Sequence, residues 1–93
     1  MEVELRFFAM VREAVGTRST TREFESGATV RDALAALEND YPELAGTLLT
    51  GDGEIARSLT VLRNGTNVTH FDGAGTELSG SDRLSITPPV TGG

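Results

Sequence analysis

The sequence predicts an α+β fold in which a mixed β-sheet packs on one main helix. Three observations predict it. The segments follow the order strand, strand, helix, strand, strand, strand; the first and last strands have the apolar alternation of core strands; and one long amphipathic segment lies between them. We expect the first and last strands to pair at the centre of the sheet. This is the β-grasp architecture, predicted over residues 1–87, with residues 88–93 as a flexible C-terminal tail.

The N-terminal elements are predicted from alternation and turn signals. Residues 2–7 alternate charged and apolar side chains, which is typical of a half-buried strand. Residues 10–15 predict a short helical turn that ends at Gly16. Residues 19–25 are rich in threonine and predict a second strand at an edge of the sheet, followed by a turn at residues 26–27.

The main helix is predicted to begin after Thr29, an N-cap residue, with Asp32 near its positive end. Its apolar stripe repeats at helical spacing and consists of Val30, Ala33, Leu34 and Leu37. Pro42 ends the helix, because proline disfavours helical backbone in the residue before it. After it we expect a polar loop at residues 50–54, preceded by a short helix at residues 43–49 whose inward-facing residues are Leu44, Leu48 and Leu49.

The C-terminal half of the chain predicts three more strands. Residues 59–63 predict the third strand, and the Asn-Gly pair at residues 64–65 is the strongest short signal for a hairpin. We therefore expect a return strand that begins at Val68. Residues 73–82 lack periodicity and predict a loop, and residues 83–87 predict the last strand.

Composition and charge exclude several classes of protein. The chain has 93 residues, enough for one small domain, and no apolar run approaches the ~20 residues of a membrane helix. It has no cysteine, which excludes disulfides and thiolate metal sites. All 8 basic residues are arginine, and 14 acidic residues give a net charge of −6, so nucleic acid is not an expected partner. The N-terminus does not resemble a signal peptide, and we expect a cytoplasmic protein without membrane association.

Conventional catalytic and metal sites find no support in the sequence. His70 is the sole histidine, too few for a metal cluster, and we interpret it as a solvated or hydrogen-bonded histidine at a strand end. The glycines at residues 73–75 do not begin a nucleotide-binding motif, because Leu78 stands where the third glycine would be. Several carboxylates fall in predicted loops or edges and indicate a solvated surface: Glu23, Glu25, Asp52, Glu54 and Asp72. We expect no catalytic residue, metal site or cofactor within the chain.

The C-terminal segment has its own character. Two prolines fix φ and stiffen the exit from the last strand, and two terminal glycines can enter a channel only as wide as a backbone. The six residues reach at most ~20 Å beyond the fold. We interpret them as a stalk that presents a carboxylate to the active site of another protein, and the alternative is an ordinary frayed terminus. The stalk consists of Pro88, Pro89, Val90, Thr91, Gly92 and Gly93.

Several segments carry a resemblance to a known family. They are Leu-Arg-Phe-Phe-Ala at residues 5–9, Val-Arg-Glu at 11–13, Ala-Thr-Val-Arg-Asp-Ala-Leu at 28–34, Val-Leu-Arg-Asn-Gly at 61–65, and Pro-Pro-Val with Gly-Gly at 88–93. Jointly, over nearly the whole chain, they resemble the ubiquitin-like sulfur carriers and modifiers. These are the molybdopterin synthase small subunit, the thiazole-synthesis sulfur carrier and, above all, the small archaeal modifier proteins. The acid-rich, lysine-free composition is similar to that of a haloarchaeal member.

The resemblance implies that the chain is a substrate of other enzymes and not itself an enzyme. A terminal carboxylate has a pKa of about 3.3–3.7, so at neutral pH it is ionised and a poor electrophile. The family implies an E1-like enzyme that uses ATP to join the Gly93 carboxylate to AMP. A lysine amine on a target protein then gives an isopeptide bond, or sulfur gives a thiocarboxylate for molybdopterin synthesis or tRNA thiolation. Gly92 is implied as the steric companion of Gly93, and residues 88–91 as the docking stalk.

Contacts outside the tail are expected on the sheet face that the helix leaves open. Phe8 and Leu62 are the candidates for binding the activating enzyme, and the alternative places both in the core. Two other functions remain open at this point. One is a dedicated molybdopterin synthase small subunit that works with a large catalytic subunit, and the other is a β-grasp binding module with an inert tail.

Overall fold

A computed structural model describes residues 1–88 of the chain. The helices and strands of this part are β1 (Glu2–Phe7), α1 (Ala9–Val15), β2 (Ser19–Glu23), α2 (Val30–Asp40), β3 (Thr60–Arg63), β4 (Thr66–Asn67) and β5 (Arg83–Thr87). Three short 3₁₀ turns lie at Pro42–Leu44, Val68–His70 and Gly73–Gly75. No helix in residues 1–88 has the length and apolarity needed to cross a bilayer.

The strands form one mixed sheet in the order β2-β1-β5-β3-β4. β1 and β5 run parallel, with Leu5 opposite Leu84, and every other pair of neighbours is antiparallel. The predicted pairing of the first and last strands at the centre is therefore confirmed, as is the edge position of β2. The last strand has the predicted bounds, Arg83–Thr87.

The core lies between the sheet and α2. Strand alternation and the helical stripe bring together fully buried side chains, among them Val3, Leu5, Phe7, Val30, Ala33, Leu34, Leu37, Leu84 and Ile86. The predicted start of α2 is confirmed by a reciprocal capping box. The Asp32 amide donates to Thr29 Oγ1 at 3.3 Å, and the Thr29 amide donates to the Asp32 carboxylate at 2.9 Å.

The short helix predicted over residues 43–49 is wrong beyond its first turn. Only Pro42–Leu44 is helical, and Gly46 has a φ of +78°, a left-handed conformation that ends helical backbone. The amides that a helix would have used are satisfied by another element, because the Glu38 carboxylate on α2 accepts from two of them at 2.9 and 3.0 Å. The predicted inward orientation still holds for Leu44 and Leu48, which are buried, and Leu49, which is half-buried.

The hairpin after β3 is confirmed, but its return strand is shorter than predicted. Asn64 and Gly65 have φ values of +51° and +88°, the conformation of the tight turn that Asn-Gly favours. The strand predicted to begin at Val68 is wrong. Val68 begins a 3₁₀ turn, because the Asn67 side chain accepts the Thr69 amide at 3.0 Å and bends the chain away from β3.

Candidate functional site

The described residues end just after β5, a central strand of the sheet, and the predicted tail follows from there. The last residue of β5, Thr87, pairs with Thr60 on β3. On the other side, the Phe8 amide donates to the Ile86 carbonyl at 3.2 Å, which ties the chain just after β1 to the end of β5. Pro88 follows and is half-buried. We define Thr87 and Pro88 as the root of the tail. β3 pairs with Thr87, and the hydrogen bond from Phe8 holds Ile86, the residue directly before the root.

Most of the predicted site residues lie outside the described residues. These are the predicted reacting residue Gly93 and four of the predicted docking residues, Pro89, Val90, Thr91 and Gly92. Of the docking residues, Pro88 alone lies within the described range. The role of the carboxylate and the division into a domain and a tail therefore stay predictions.

One apolar groove lies beside the root of the tail on the sheet face opposite α2. Phe8 and Leu62 line it with Ser85 and Thr87, and its volume is about 190 Å³. Phe8 is 38% exposed, and Leu62 is half-buried and outside the core cluster. The alternative that both belong to the core is wrong, because alternation along β3 places Val61 against α2 and turns Leu62 to the other face. We call this the open-face groove.

A second groove lies on the other side of the root, between α1 and the chain that follows α2. It has a volume of about 510 Å³, and Met10, Leu59 and Pro88 line it. Met10 is 48% exposed. This groove was not predicted, because it is formed by segments that are far apart in the chain. The exposed methionine in the predicted helical turn was its only local signal.

The other end of β5 is held by a buried carboxylate, which was not predicted from the sequence either. Asp82 is 5% exposed, and it accepts hydrogen bonds from the Ser79 amide at 2.8 Å, Arg63 Nε at 2.8 Å and Asn64 Nδ2 at 2.9 Å. Burial by itself raises the pKa of Asp82, but these hydrogen bonds and the charge of Arg63 lower it below its ordinary value. We call these four residues the Asp82 cluster, and it fixes the hairpin to the start of β5.

The remaining candidates are solvated. His70 is exposed and ends a 3₁₀ turn, so its predicted position at a strand end is wrong, although its solvation is as predicted. In the described part of the chain, no three histidine or acidic side chains come together as a metal site would require. The carboxylates predicted to be solvated are all exposed: Glu23, Glu25, Asp52, Glu54 and Asp72. Residues 1–88 thus offer an anchored exit for the tail with apolar grooves beside it.

Comparison with known proteins shows the family to which the chain is similar. The family model described as the ThiS family matches residues 5–93. Small archaeal modifier protein 3 of Haloferax volcanii is 48% identical over 93 residues, which cover 100% of both chains.

Two solved structures place the fold. The crystal structure of SAMP1 from Haloferax volcanii superposes with a TM-score of 0.83 at 34% identity, covering 100% of both chains. One chain of the crystal structure of the Amycolatopsis orientalis BexX/CysO complex superposes with a TM-score of 0.79 at 26% identity, covering 98% of this chain and 99% of that one. The neighbours are ubiquitin-like β-grasp proteins, so the predicted fold class is confirmed.

Proposed function

The chain belongs to the ThiS family, and we propose that it is a ubiquitin-like protein modifier and sulfur carrier whose Gly93 carboxylate is adenylated by an E1-like enzyme. Its relatives are small ubiquitin-like proteins of the modifier and sulfur-carrier class. The carboxylate at the end of the predicted tail is suited to this reaction. The protein supplies the carboxylate, and the partner supplies ATP and the catalytic groups.

The observation that carries the proposal is the position of the tail root. The root continues the central strand β5, Thr87 pairs with β3, and Phe8 is hydrogen-bonded to Ile86 directly before the root, which supports a tail that begins at a fixed point of the body. Exposed Phe8 lies beside it, and a partner that covers the open-face groove is brought next to the tail. A carboxylate on a short stalk can thus be placed in a partner's active site by contacts with the body.

The activation step balances without any group from this chain except the carboxylate. A Gly93 oxygen attacks the α-phosphorus of ATP, a P–O bond to pyrophosphate breaks, and an acyl-adenylate forms. A target lysine amine then attacks the acyl carbon, forms an amide and releases AMP and a proton. A hydrosulfide equivalent attacking the same carbon leaves a thiocarboxylate and releases AMP. Both outcomes need the carboxylate in the partner's site, which explains the two narrow glycines at residues 92–93.

The test compares the tagged full chain with a variant that lacks Gly92 and Gly93, in a cell able to activate such proteins. We expect higher-mass bands on a denaturing blot only with the intact tail. The chain has no lysine, and its last arginine is Arg83, so trypsin would leave residues 84–93 on each target lysine. Mass spectrometry of that remnant identifies the targets and shows that the bond runs through Gly93.

The control outcomes separate the alternatives. A mass increase of one oxygen-to-sulfur exchange at Gly93, with no conjugates, restricts the function to sulfur transfer. Stable co-purification with a large catalytic subunit, without conjugates, indicates a dedicated molybdopterin synthase small subunit. Unchanged cellular function after removal of both glycines contradicts the proposal and leaves a binding module with an inert tail.

A further inference from the structure

A cavity beside Phe8 concentrates positive charge in an otherwise acidic chain. Its volume is about 320 Å³, and its lining residues are Arg6, Phe7, Phe8, Arg12, Arg18 and Ser19. Three of the 8 arginines therefore line one cavity, and none of the 14 acidic residues does. We call it the arginine pocket.

The backbone brings the three arginines together from separate elements. Arg6 lies on β1 opposite Ser19, the first residue of β2. The Phe7 amide donates to the Arg18 carbonyl at 2.8 Å, which holds the loop after α1 against β1. Arg12 comes from α1, whose first turn follows β1 directly. The pocket is thus built where three segments meet, and its walls are fixed by main-chain pairing.

The side chain of Arg12 is already held in place. Its Nε donates to the Phe7 carbonyl at 3.1 Å, and its guanidinium carbon lies 5.5 Å from the centroid of the Phe8 ring. Because these contacts use Nε and the flat face of the guanidinium, the terminal nitrogens remain for another acceptor. Within residues 1–88, Arg12 and Arg18 make no ion pair, whereas Arg6 Nε lies 2.7 Å from a Glu4 carboxylate oxygen. Two of the three charges therefore lack an acidic partner in the described part of the chain.

We propose that the arginine pocket binds a carboxylate side chain in an acidic segment of the protein that receives the tail, an inference that rests on the proposed function. The planar fork of arginine matches a carboxylate and binds it through paired hydrogen bonds. The position fits such a partner, because Phe8 lines both this pocket and the open-face groove beside the tail root. One bound surface therefore covers the groove and reaches the pocket.

Charge complementarity gives the pocket a role in orientation. The net charge of −6 repels an acidic segment over most of the surface, and the arginine pocket is where such a segment is attracted. A partner docked through this contact has one favoured register relative to the tail. The pocket then determines how the partner is oriented, while the tail and the groove provide the rest of the interface.

The first experiment tests the pocket without any partner enzyme. The ¹⁵N-labelled full chain is titrated with acetylated tetraglutamate at low ionic strength. The Debye length is then about 10 Å or more, so interactions between charges are only weakly screened. We expect shifts centred on the amides of residues 6–8, 12 and 18–19. Arg18→Gln should weaken binding about two- to fivefold, as loss of one exposed ion pair implies. Arg57→Gln is the matched control, because Arg57 is also exposed and the substitution makes the same change in net charge away from the pocket.

The outcomes of this titration decide the ligand. Equal weakening by the two substitutions shows a general charge effect and overturns the proposal. Inorganic phosphate added at the same ionic strength should produce smaller shifts than the peptide. If phosphate displaces the peptide and saturates the same amides, the pocket is a small-anion site and the proposal of an acidic protein segment is wrong.

The second experiment tests the partner and keeps the two proposals distinguishable. With an E1-like enzyme, ATP–pyrophosphate exchange is measured against the concentration of this protein. Arg18→Gln should raise KM about two- to fivefold with kcat unchanged, and Arg57→Gln should change neither. Absence of exchange with the unaltered protein contradicts the proposed function, while the peptide titration still decides the chemistry of the pocket. Exchange with the same KM for both variants overturns the assignment of the pocket to the tail-receiving partner.

Discussion

The two ends of β5 differ in how their side chains are used. At the start of the strand, Asp82 is buried and accepts hydrogen bonds from three different residues. At the end of the strand, Phe8 and Met10 are exposed around the root of the tail, and two grooves and the arginine pocket lie beside them. The polar groups at the start of β5 are hydrogen-bonded to one another, whereas apolar side chains and arginines near its end are free to contact a partner. The difference separates a region that stabilises the fold from a region suited to binding.

This division is physically economical in so small a protein. A domain of 93 residues has a small core, and domains of this kind have a net stability of about 5–15 kcal/mol, so apolar side chains left at the surface carry a cost. Placing the exposed groups beside the central strands lets the buried alternation beneath them compensate. The comparison predicts that substitutions at the start of β5 or on its buried face affect unfolding, and that substitutions around the tail root affect binding.

The largest expected effect is on the buried face of β5. Leu84→Ala removes a side chain with 0% exposure and should lower the free energy of unfolding by about 2–5 kcal/mol. Leu62→Ala is the matched control, because Leu62 lies on the neighbouring strand but faces the open-face groove. It should cost about 1 kcal/mol or less. Denaturant unfolding at fixed salt measures both, and equal losses would show that the open face belongs to the core.

A smaller effect is expected at the Asp82 cluster. Asp82→Asn removes the charge that faces Arg63 and turns one acceptor into a donor near Asn64 or Ser79, and it should cost about 1–3 kcal/mol. Asp52→Asn is the control, since Asp52 is exposed, and it should change stability by less than about 0.5 kcal/mol. Unfolding free energies at neutral pH compare the two.

The effect of Asp82→Asn on the free energy of unfolding should also depend on pH, with a known sign. The pKa of Asp82 is lowered in the folded protein, so its contribution to stability is present above the unfolded value of about 3.9 and is lost as pH falls through the folded value. The difference between the unaltered protein and Asp82→Asn should therefore shrink as the pH is lowered from 6 towards ~3. A difference that stays constant over this range would mean that Asp82 is not ionised in the cluster at neutral pH.

The parts of the fold that could be predicted are those determined by residues close together in the chain. The alternation of residues 2–7, the capping pair Thr29 and Asp32, and the bounds of β5 are local, and all were predicted from neighbouring residues. The 3₁₀ turn at Pro42–Leu44 was overpredicted as a longer helix because Glu38 satisfies the later amides from another element. Local propensity gave no sign of that contact.

The candidate site divides in the same way. The tail and the role of its Gly-Gly end were predicted from the residues themselves, and they stay predictions. The arginine pocket was not predicted, since Arg6, Arg12 and Arg18 belong to different elements and their spacing matches no periodic structure. The Asp82 cluster was missed for the same reason, because Arg63 and Asp82 are brought together only when β3 pairs with β5. Sites assembled by strand pairing require the topology as well as the sequence.

The smallest expected effect concerns the backbone at the tail end of the comparison. Ala9 follows Phe8 and has a φ of +51°, a conformation that costs a residue with a Cβ about 1–2 kcal/mol. Glycine removes this strain but loses about 0.5–1 kcal/mol through the greater freedom of the unfolded chain. Ala9→Gly should therefore stabilise the protein slightly, by about 0.5 kcal/mol, as measured by denaturant unfolding.

The matched control for that substitution is Ala14→Gly in the same helix, where the backbone is ordinarily helical. It should destabilise the protein by about 1 kcal/mol. Opposite signs for the two changes would show that the sharp turn after β1 lowers the free energy of unfolding. That turn places Phe8 and Met10 on either side of the tail root. If both variants lose stability equally, Ala9 is not strained. The exposed side chains at this end of β5 would then be positioned by packing alone, and the comparison between its two ends would rest on hydrogen bonding and burial.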